Sequence, residues 1–316
     1  MSKDKKCFRT SIGGQALIEG VMMRGPEKTA MAVRNPEGEI VIEDVRDEKG
    51  KNNPKFLKLP FVRGLVNFIQ TMMLGYKCIM RSAELAGLDE EEGEPSKFEK
   101  FLTEKLGSKV YTIIGVIAMV LGIVLAISLF VFVPTFLVKM FNTYVYNLGG
   151  FTAVVEGVIK IAVFILYMWL VSFMPDIRRT YEYHGAEHKT IACYEAGEEL
   201  EVENAKKFTR FHPRCGTSFI LIVLVISIIV FLAVPASLSV LWRFILRIVL
   251  LPLVVGIAYE IIKFVGRHDN VFTRIISKPG LLLQHLTTRE PDEKQLEVAI
   301  ASLKAVMPEQ KEEAEW

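Results

Sequence analysis

Cysteine, histidine and net charge are all scarce in this chain. Its 316 residues hold four Cys, five His and a formal charge of +2, from 38 Lys and Arg against 36 Asp and Glu. With that near-balance and no concentrated basic patch, the footprint of a nucleic-acid-binding surface is missing, and no nucleic-acid partner is expected. No internal repeat is present. Residues Met1–Gly20 carry charges but no apolar h-region and no small-residue cleavage site, so they do not read as a signal peptide.

Long apolar runs, by contrast, are plentiful. The chain is 51% hydrophobic with mean hydropathy +0.32, yet 23% charged, so its apolar residues must be segregated into blocks. The blocks are Tyr111–Val138, Phe151–Met174, Ser218–Val240 and Trp242–Val265. Each supplies roughly 20 mostly apolar residues, the length a helix needs to cross about 30 Å of hydrocarbon. Four transmembrane helices in two hairpins, 111–174 and 218–265, are therefore expected in a lipid bilayer.

Lysine and arginine set the orientation, because short cytoplasmic loops are enriched in them. The loop after the first run holds only Lys139. The loop after the second holds Arg178, Arg179, Lys189, Lys206, Lys207, Arg210 and Arg214, and Lys263 and Arg267 lie at the end of the fourth. Both termini and the loop 175–217 should face the cytosol. Cys7, Cys78, Cys193 and Cys215 would be reduced there, which favours metal binding over disulfides.

Around the spans, the expected fold is mainly α with a small cytosolic α+β layer and interfacial amphipathic helices. Residues 1–55 read as β-rich: strand-like Ala30–Val33 and Ile40–Ile42 flank Asn35-Pro-Glu-Gly38, a good turn sequence. Before them, Gly13-Gly-Gln-Ala-Leu-Ile-Glu19-Gly-Val-Met-Met-Arg24 suggests either backbone that approaches something closely or a glycine-containing strand edge. Residues 56–88 read as an interfacial helix, with Leu65, Ile69, Met72, Met73, Tyr76 and Met80 at helical spacing. Lys55, Lys58, Arg63, Lys77 and Arg81 could meet lipid headgroups. Residues 89–110 form an acidic linker and helix lead-in, and 266–316 a cytosolic helical region with Leu296, Ile300 and Leu303 on one face.

Three of the five histidines and two of the four cysteines fall within 175–217. On the expected helix Arg178–Tyr194, stopped by Gly197, His184 and His188 sit at i and i+4, a turn apart on one face. His212-Pro-Arg-Cys215-Gly216 forms a second, knuckle-like pair. These four N and S donors match a tetrahedral site for a divalent metal such as zinc; all four binding would make it structural, three would leave a catalytic position open. His184-x-x-Glu187-His188 also matches the H-x-x-E-H string of inverted zincin proteases, with Glu187 as base and Glu260 an alternative downstream ligand. Glu182 and Glu195 read as helix-surface charges. Glu156 and Lys160, i and i+4 in the second run, read as a structural pair.

Three blocks carry a resemblance that covers nearly the whole chain: Gly13 to Arg24, Tyr183-His-Gly-Ala-Glu-His-Lys-Thr-Ile-Ala-Cys-Tyr-Glu195, and His212-Pro-Arg-Cys-Gly-Thr-Ser-Phe219. They resemble the signature blocks of the YqhQ-like family of bacterial membrane proteins. What the resemblance implies is an inner-membrane protein under the general label of predicted metal-dependent enzyme, with His184, Glu187, His188, His212 and Cys215 at its site. Glu19 and Arg24 would face that site from the first block. The leading expectation is a metal-dependent hydrolase at the cytosolic membrane surface, in which Arg24 or Arg214 stabilises a developing anion. The alternative is a scaffold with a structural metal that binds another membrane protein or forms a homo-oligomer through Phe61–Arg81 or the Leu296–Leu303 face; a channel or transporter is a third.

Overall fold

The computed structural model describes residues 8–45, 57, 59–60, 62–88, 117, 120–234, 238–268, 270–309 and 311–314. It divides into two units, Met1–Gly87 with Met168–Trp316, and Leu88–Tyr167. The expected linker 89–110, Cys7, Lys55 and Lys58 lie outside the described residues.

The first unit contains a four-stranded antiparallel sheet in the order β1 (Gly13–Leu17), β2 (Gly20–Arg24), β3 (Thr29–Arg34) and β4 (Ile40–Asp44). The β3–β4 hairpin is the expected one. Gly38 takes φ +89°, and Asn35 Oδ1 accepts the Glu39 N–H at 2.7 Å, the local bonding that fits Asn and Gly to tight turns. The β1–β2 hairpin is a second. Its register pairs Leu17 with Gly20, leaving Ile18 and Glu19 as the turn. Glu19 sits at φ +51°, a costly region for a non-glycine residue, and its carboxylate is fixed from outside by Arg179 and by the Tyr183 hydroxyl at 3.2 Å.

Side chains alternate across the sheet, and both faces are covered. Val21, Met23, Ala30 and Ala32 pack on α4 (Pro175–Glu195) and on α9 (Glu293–Val306), while Leu17, Met22 and Met31 meet Leu74 and Cys78 of α1 (Val62–Leu85). Leu296 and Leu303 are fully buried here, each worth about 1.5–3 kcal/mol of burial. That corrects the expectation of a free Leu296–Leu303 docking face: the sheet itself occupies it.

α1 is a helix within the expected residues 56–88, with Ile69, Met72, Met73, Tyr76 and Met80 exposed. Its charges are not all free for headgroups, however. Arg63 forms a bidentate pair with Glu260, Nε to Oε1 at 2.7 Å and Nη2 to Oε2 at 2.6 Å, and Arg81 binds Glu43 and Glu84. Gly64 lets α1 lie against Tyr259, where a Cβ would come within 2.8 Å of that ring's own Cβ.

α5 (Val202–Ala205) leads to α6 (Gly216–Leu232), α7 (Val240–Arg267) and α8 (Val271–Thr287), with α6 packed on both α7 and α8. In the second unit, α2 (Val120–Tyr144) contains a π-turn at Ser128–Phe132, and α3 (Thr152–Val171), whose last turn belongs to the first unit, carries the expected Glu156–Lys160 pair at 2.8 Å. Thr135 of α2 donates to the same carboxylate at 3.2 Å.

Three helices among the described residues are long and apolar enough to cross a membrane: Val120–Tyr144, Gly149–Val171 and Trp242–Arg267. The expected third span, Ser218–Val240, is a helix of only 17 residues that ends at Leu232, about 25 Å long. The expected first span also shifts, running on to Tyr144 rather than stopping at Val138.

Candidate metal centre

Two elements bring the donors together. α4 starts with Pro175 at its first turn and stops where Gly197 takes φ +69°, the left-handed position a glycine C-cap supplies. Its Gly185 lets segment 288–291 run across the helix, and the Arg289 N–H bonds Tyr181 O at 2.8 Å. The loop before α6 is clamped by Gln284 of α8, which accepts from the His212 N–H at 2.8 Å and donates to the His212 carbonyl at 2.7 Å. Cys215 is the N-cap of α6.

Backbone carbonyls fix both imidazoles. His184 Nδ1–H donates to Thr287 O at 2.8 Å, which turns Nε2 to Cys215 Sγ at 3.1 Å. His188 Nδ1–H donates to Arg210 O at 2.6 Å, and its Nε2 is buried without a hydrogen-bond partner. The donor atoms of His184, His188 and Cys215 all lie within 4.8 Å of one another. Orienting a histidine through its second nitrogen is the usual support of a metal ligand.

The electrostatics favour a thiolate. Burial alone would raise the Cys215 thiol, but the charges of His184 and His188 and the His184 hydrogen bond hold it well below the usual range. Thr217 adds its N–H at 3.5 Å and its hydroxyl at 3.4 Å. Burial pulls the His184 imidazole down, yet the facing thiolate pushes it up to about 9.

Glu187 lies beside these donors and is 5% exposed. Its Oε1 accepts the Gly14 N–H at 3.0 Å, while Oε2 is buried with no hydrogen bond. Burial raises its carboxyl, against the pull of His184 and His188. Gly14 has to be glycine: a Cβ would meet Met22 O at 2.7 Å and the Glu187 carboxyl carbon at 3.0 Å. The close approach expected at Gly13–Arg24 is thus to Glu187, and β1 is also an edge strand of the sheet.

The other sequence candidates lie elsewhere. His212 is not in the donor group; its Nε2 accepts from Arg214 at 3.2 Å and stands 3.8 Å from Glu195 Oε2. Burial lowers its basicity, despite the opposing carboxylate. Arg214 is bound to Glu195. Glu195 is therefore no surface charge: it is largely buried, and it also accepts the Thr10 N–H at 2.8 Å. Glu260 is held by Arg63, Glu19 by Arg179, and Arg24 lines a cleft on the α1 face of the sheet. The sequence reading missed the Thr287 and Arg210 carbonyls and the Gly14 N–H, main-chain groups that no residue type announces.

A family model described as "Protein of unknown function (DUF1385)" matches residues 59–309. The chain belongs to the DUF1385 family. It is also similar to the "Uncharacterized protein YqhQ" of Bacillus subtilis (strain 168), 36% identical over 312 residues, which cover 97% of this chain and 95% of that protein. The YqhQ-like resemblance read from the sequence is thereby established. The DUF1385 match takes in α1 and all three donors; β1 and β2, with Gly14, precede it. No solved structure matches.

The donors fit a metal on their own chemistry. Two imidazoles and a thiolate within one small volume, one of them with an orphaned nitrogen, form the N2S set that zinc and similar borderline ions prefer.

Proposed function

We propose that this DUF1385 protein is a metal-dependent hydrolase of the bacterial cytoplasmic membrane, anchored by four spans with both termini cytosolic. The observation that carries the reading is a buried His184–His188–Cys215 donor set beside a carboxylate with one oxygen unused. Three protein donors are the number found in catalytic zinc sites, where the fourth position stays open. His212, turned to Arg214 and Glu195, supports the open arrangement over a closed four-ligand one.

His184, His188 and Cys215 would hold the ion. When bound, it supplies a Lewis acid that polarises the scissile group and acidifies water. Glu187 takes the water's proton at Oε2, with Oε1 anchored on the Gly14 N–H so that the free oxygen keeps its direction. The Thr287 and Arg210 carbonyls keep both histidines in the tautomer that presents Nε2. Arg214, tied to Glu195, has no part in this reading, and Arg24 lines the cleft on the α1 face of the sheet.

The four-span topology rests on α6 as a short crossing. Its 17 residues cover about 25 Å, a length a bilayer accommodates by thinning locally. The Lys and Arg bias of 175–217 supports the cytosolic placement of the site.

Metal analysis of the full chain, purified in detergent, tests this. One zinc-type ion per chain is expected, lost in Cys215→Ser and His188→Ala. Glu187→Gln should keep the ion while hydrolysis across a panel of ester, amide and phosphoester substrates falls by about 10²–10⁴-fold. Absence of metal from the wild type would end the proposal. Coordination by His212 as a fourth ligand would point to the non-catalytic scaffold instead.

A further inference from the structure

Three helix serines, Ser82, Ser227 and Ser277, each donate to a main-chain carbonyl three or four residues back, the usual resting place of a helical hydroxyl. Ser218, in the first turn of α6, does not. It is 2% exposed, and its Oγ has no hydrogen-bond partner. A buried hydroxyl left unpaired costs stability, so the position asks for an acceptor from elsewhere.

The hydroxyl stands at one end of an apolar groove of about 280 Å³ between α6, α7 and α8. Leu221, Ile222 and Val225 of α6, Ile261 of α7, and Ile276 and Pro279 of α8 form its walls, and Ser218 is the one polar side chain in the lining among the described residues. Along α6 the groove runs from Ser218 to Ile226, about 12 Å. Gly280 brings α8 close at the Ser218 end, where a Cβ would lie 2.6 Å from the Ser218 Cβ. Val225 is 43% exposed and Pro279 is exposed, so the groove opens sideways, beside two apolar helices of which α7 is long enough to cross a membrane.

The Ser218 end is also the end nearest the metal donors. The Ser218 N–H bonds Cys215 O at 3.1 Å, one turn of α6 away. On α8 the buried residues Gly280, Gln284 and Thr287 follow one another at helical spacing. They lead from the groove to the amide that clamps His212 and to the carbonyl that orients His184.

The walls decide the occupant. Water needs two to four polar partners, and one hydroxyl among aliphatic side chains does not hold it. A partner helix is about 10–12 Å across, whereas 280 Å³ spread along the groove leaves room for a single extended chain. A free fatty acid would bring a carboxylate to a lining that offers no cation among the described residues. An acyl ester meets both demands, with an alkyl chain for the walls and a carbonyl for the hydroxyl. We propose that the groove takes the acyl chain of a membrane ester lipid, whose carbonyl accepts from Ser218 Oγ–H beside the metal centre. This names the substrate class of that centre, and for turnover it rests on the hydrolase reading, in which water adds across the acyl C–O bond and an acid and an alcohol leave. Binding itself does not require the metal.

The test uses the full chain carrying Glu187→Gln, which stops the proposed turnover, in bilayer discs of dialkyl-ether phosphatidylcholine, a matrix without carbonyls. Two probes carry a photoreactive diazirine at the chain end: monooctanoylglycerol and its ether analogue, monooctylglycerol. Mass spectrometry compares labelling at residues 221–226 and 276–279 with labelling at Val158 and Leu166, which α3 exposes. Relative to α3, the ester should label the groove at least about fivefold more than the ether does, the effect of one hydrogen bond. Ser218→Ala should bring the ester down to the ether's level and leave the unfolding midpoint unchanged or higher, because its hydroxyl has no partner to lose. Equal labelling by the two probes, equal labelling of groove and α3 by the ester, or an ester preference that survives Ser218→Ala would overturn the proposal. If Ser218→Ala lowers the midpoint, the two probes on the parent chain decide. An ester preference in a protein whose wild type hydrolyses no ester leaves the lipid site standing and removes the hydrolase reading; hydrolysis by the wild type with no ester preference does the reverse.

Discussion

Replacing Gly185 by alanine should destabilise the protein, against the usual direction. In an exposed helix interior the change gains about 1 kcal/mol from propensity and a less mobile unfolded chain. At Gly185 the new Cβ would lie well inside van der Waals contact of Arg289 O, 3.2 Å from that carbonyl carbon and 3.4 Å from Pro291 Cδ. Segment 288–291 would have to move off the helix, yet the Arg289 N–H is bonded to Tyr181 O and Thr288 O accepts from Arg210 Nη1 at 2.7 Å. Overpacking costs about 1–3 kcal/mol and each lost hydrogen bond about 1 kcal/mol, so the net effect is a loss of about 2 kcal/mol. The displacement continues to Thr287 O, which orients His184, and the support of a ligand is worth about 10–100-fold in metal affinity. The assay is the unfolding midpoint in detergent at one scan rate, since large proteins unfold irreversibly, together with zinc competition against a chelator. A Gly185→Ala protein that is as stable as the wild type and holds zinc as tightly would refute the reasoning.

Other outcomes follow from the same contacts. Leu303→Ala should cost about 2–5 kcal/mol by denaturant titration, because its side chain is fully enclosed; a wild-type midpoint would return α9 to the surface. Burial raises the Glu195 carboxyl but His212 and Arg214 outweigh it, so its folded pKa lies below the ordinary value. Its stabilisation is complete above about pH 4.3 and fades as pH falls through the folded pKa, and metal-free Glu195→Gln should show a flatter acid limb than metal-free wild type. An unchanged slope would remove Glu195 from the acid response. Arg63→Met should cost only about 1 kcal/mol, since the pair with Glu260 is a quarter to a third exposed, and Glu260→Gln in the same chain should recover most of it. A loss several times larger in a double-mutant cycle would mean that the pair is far better shielded.

The parts of the site that depend on side-chain spacing were legible in the sequence. His184 and His188 a turn apart, Gly197 as a stop and the Asn35–Gly38 turn each follow from local rules, and each stands where expected. His212 looked equivalent to Cys215, but its neighbour Arg214 and the distant Glu195 offer its ring a charged hydrogen-bonding site that a spacing rule does not contain. The β1–β2 hairpin was obscured because Glu19, not Asn or Gly, occupies the left-handed turn position, held by Arg179 from a segment far along the chain. α9 read as an amphipathic helix with a free face for the same reason: periodicity reveals an apolar face, and tertiary structure chooses what covers it.

The Thr10–Ser11 segment and α9 also set an order of assembly. The Ser11 N–H bonds Ala314 O at 2.6 Å, and the face of the sheet formed by residues 21–32 is sealed by residues 296–303. A ribosome delivers both hairpins before any apolar helix and delivers α9 after all of them. Val21, Met23, Ala30 and Ala32 can meet α4 earlier but stay only partly covered until α9 emerges, and the sheet matures only then. A nascent chain arrested before residue 293 carries a partly open apolar sheet face, the kind of surface that chaperones shield and proteases remove.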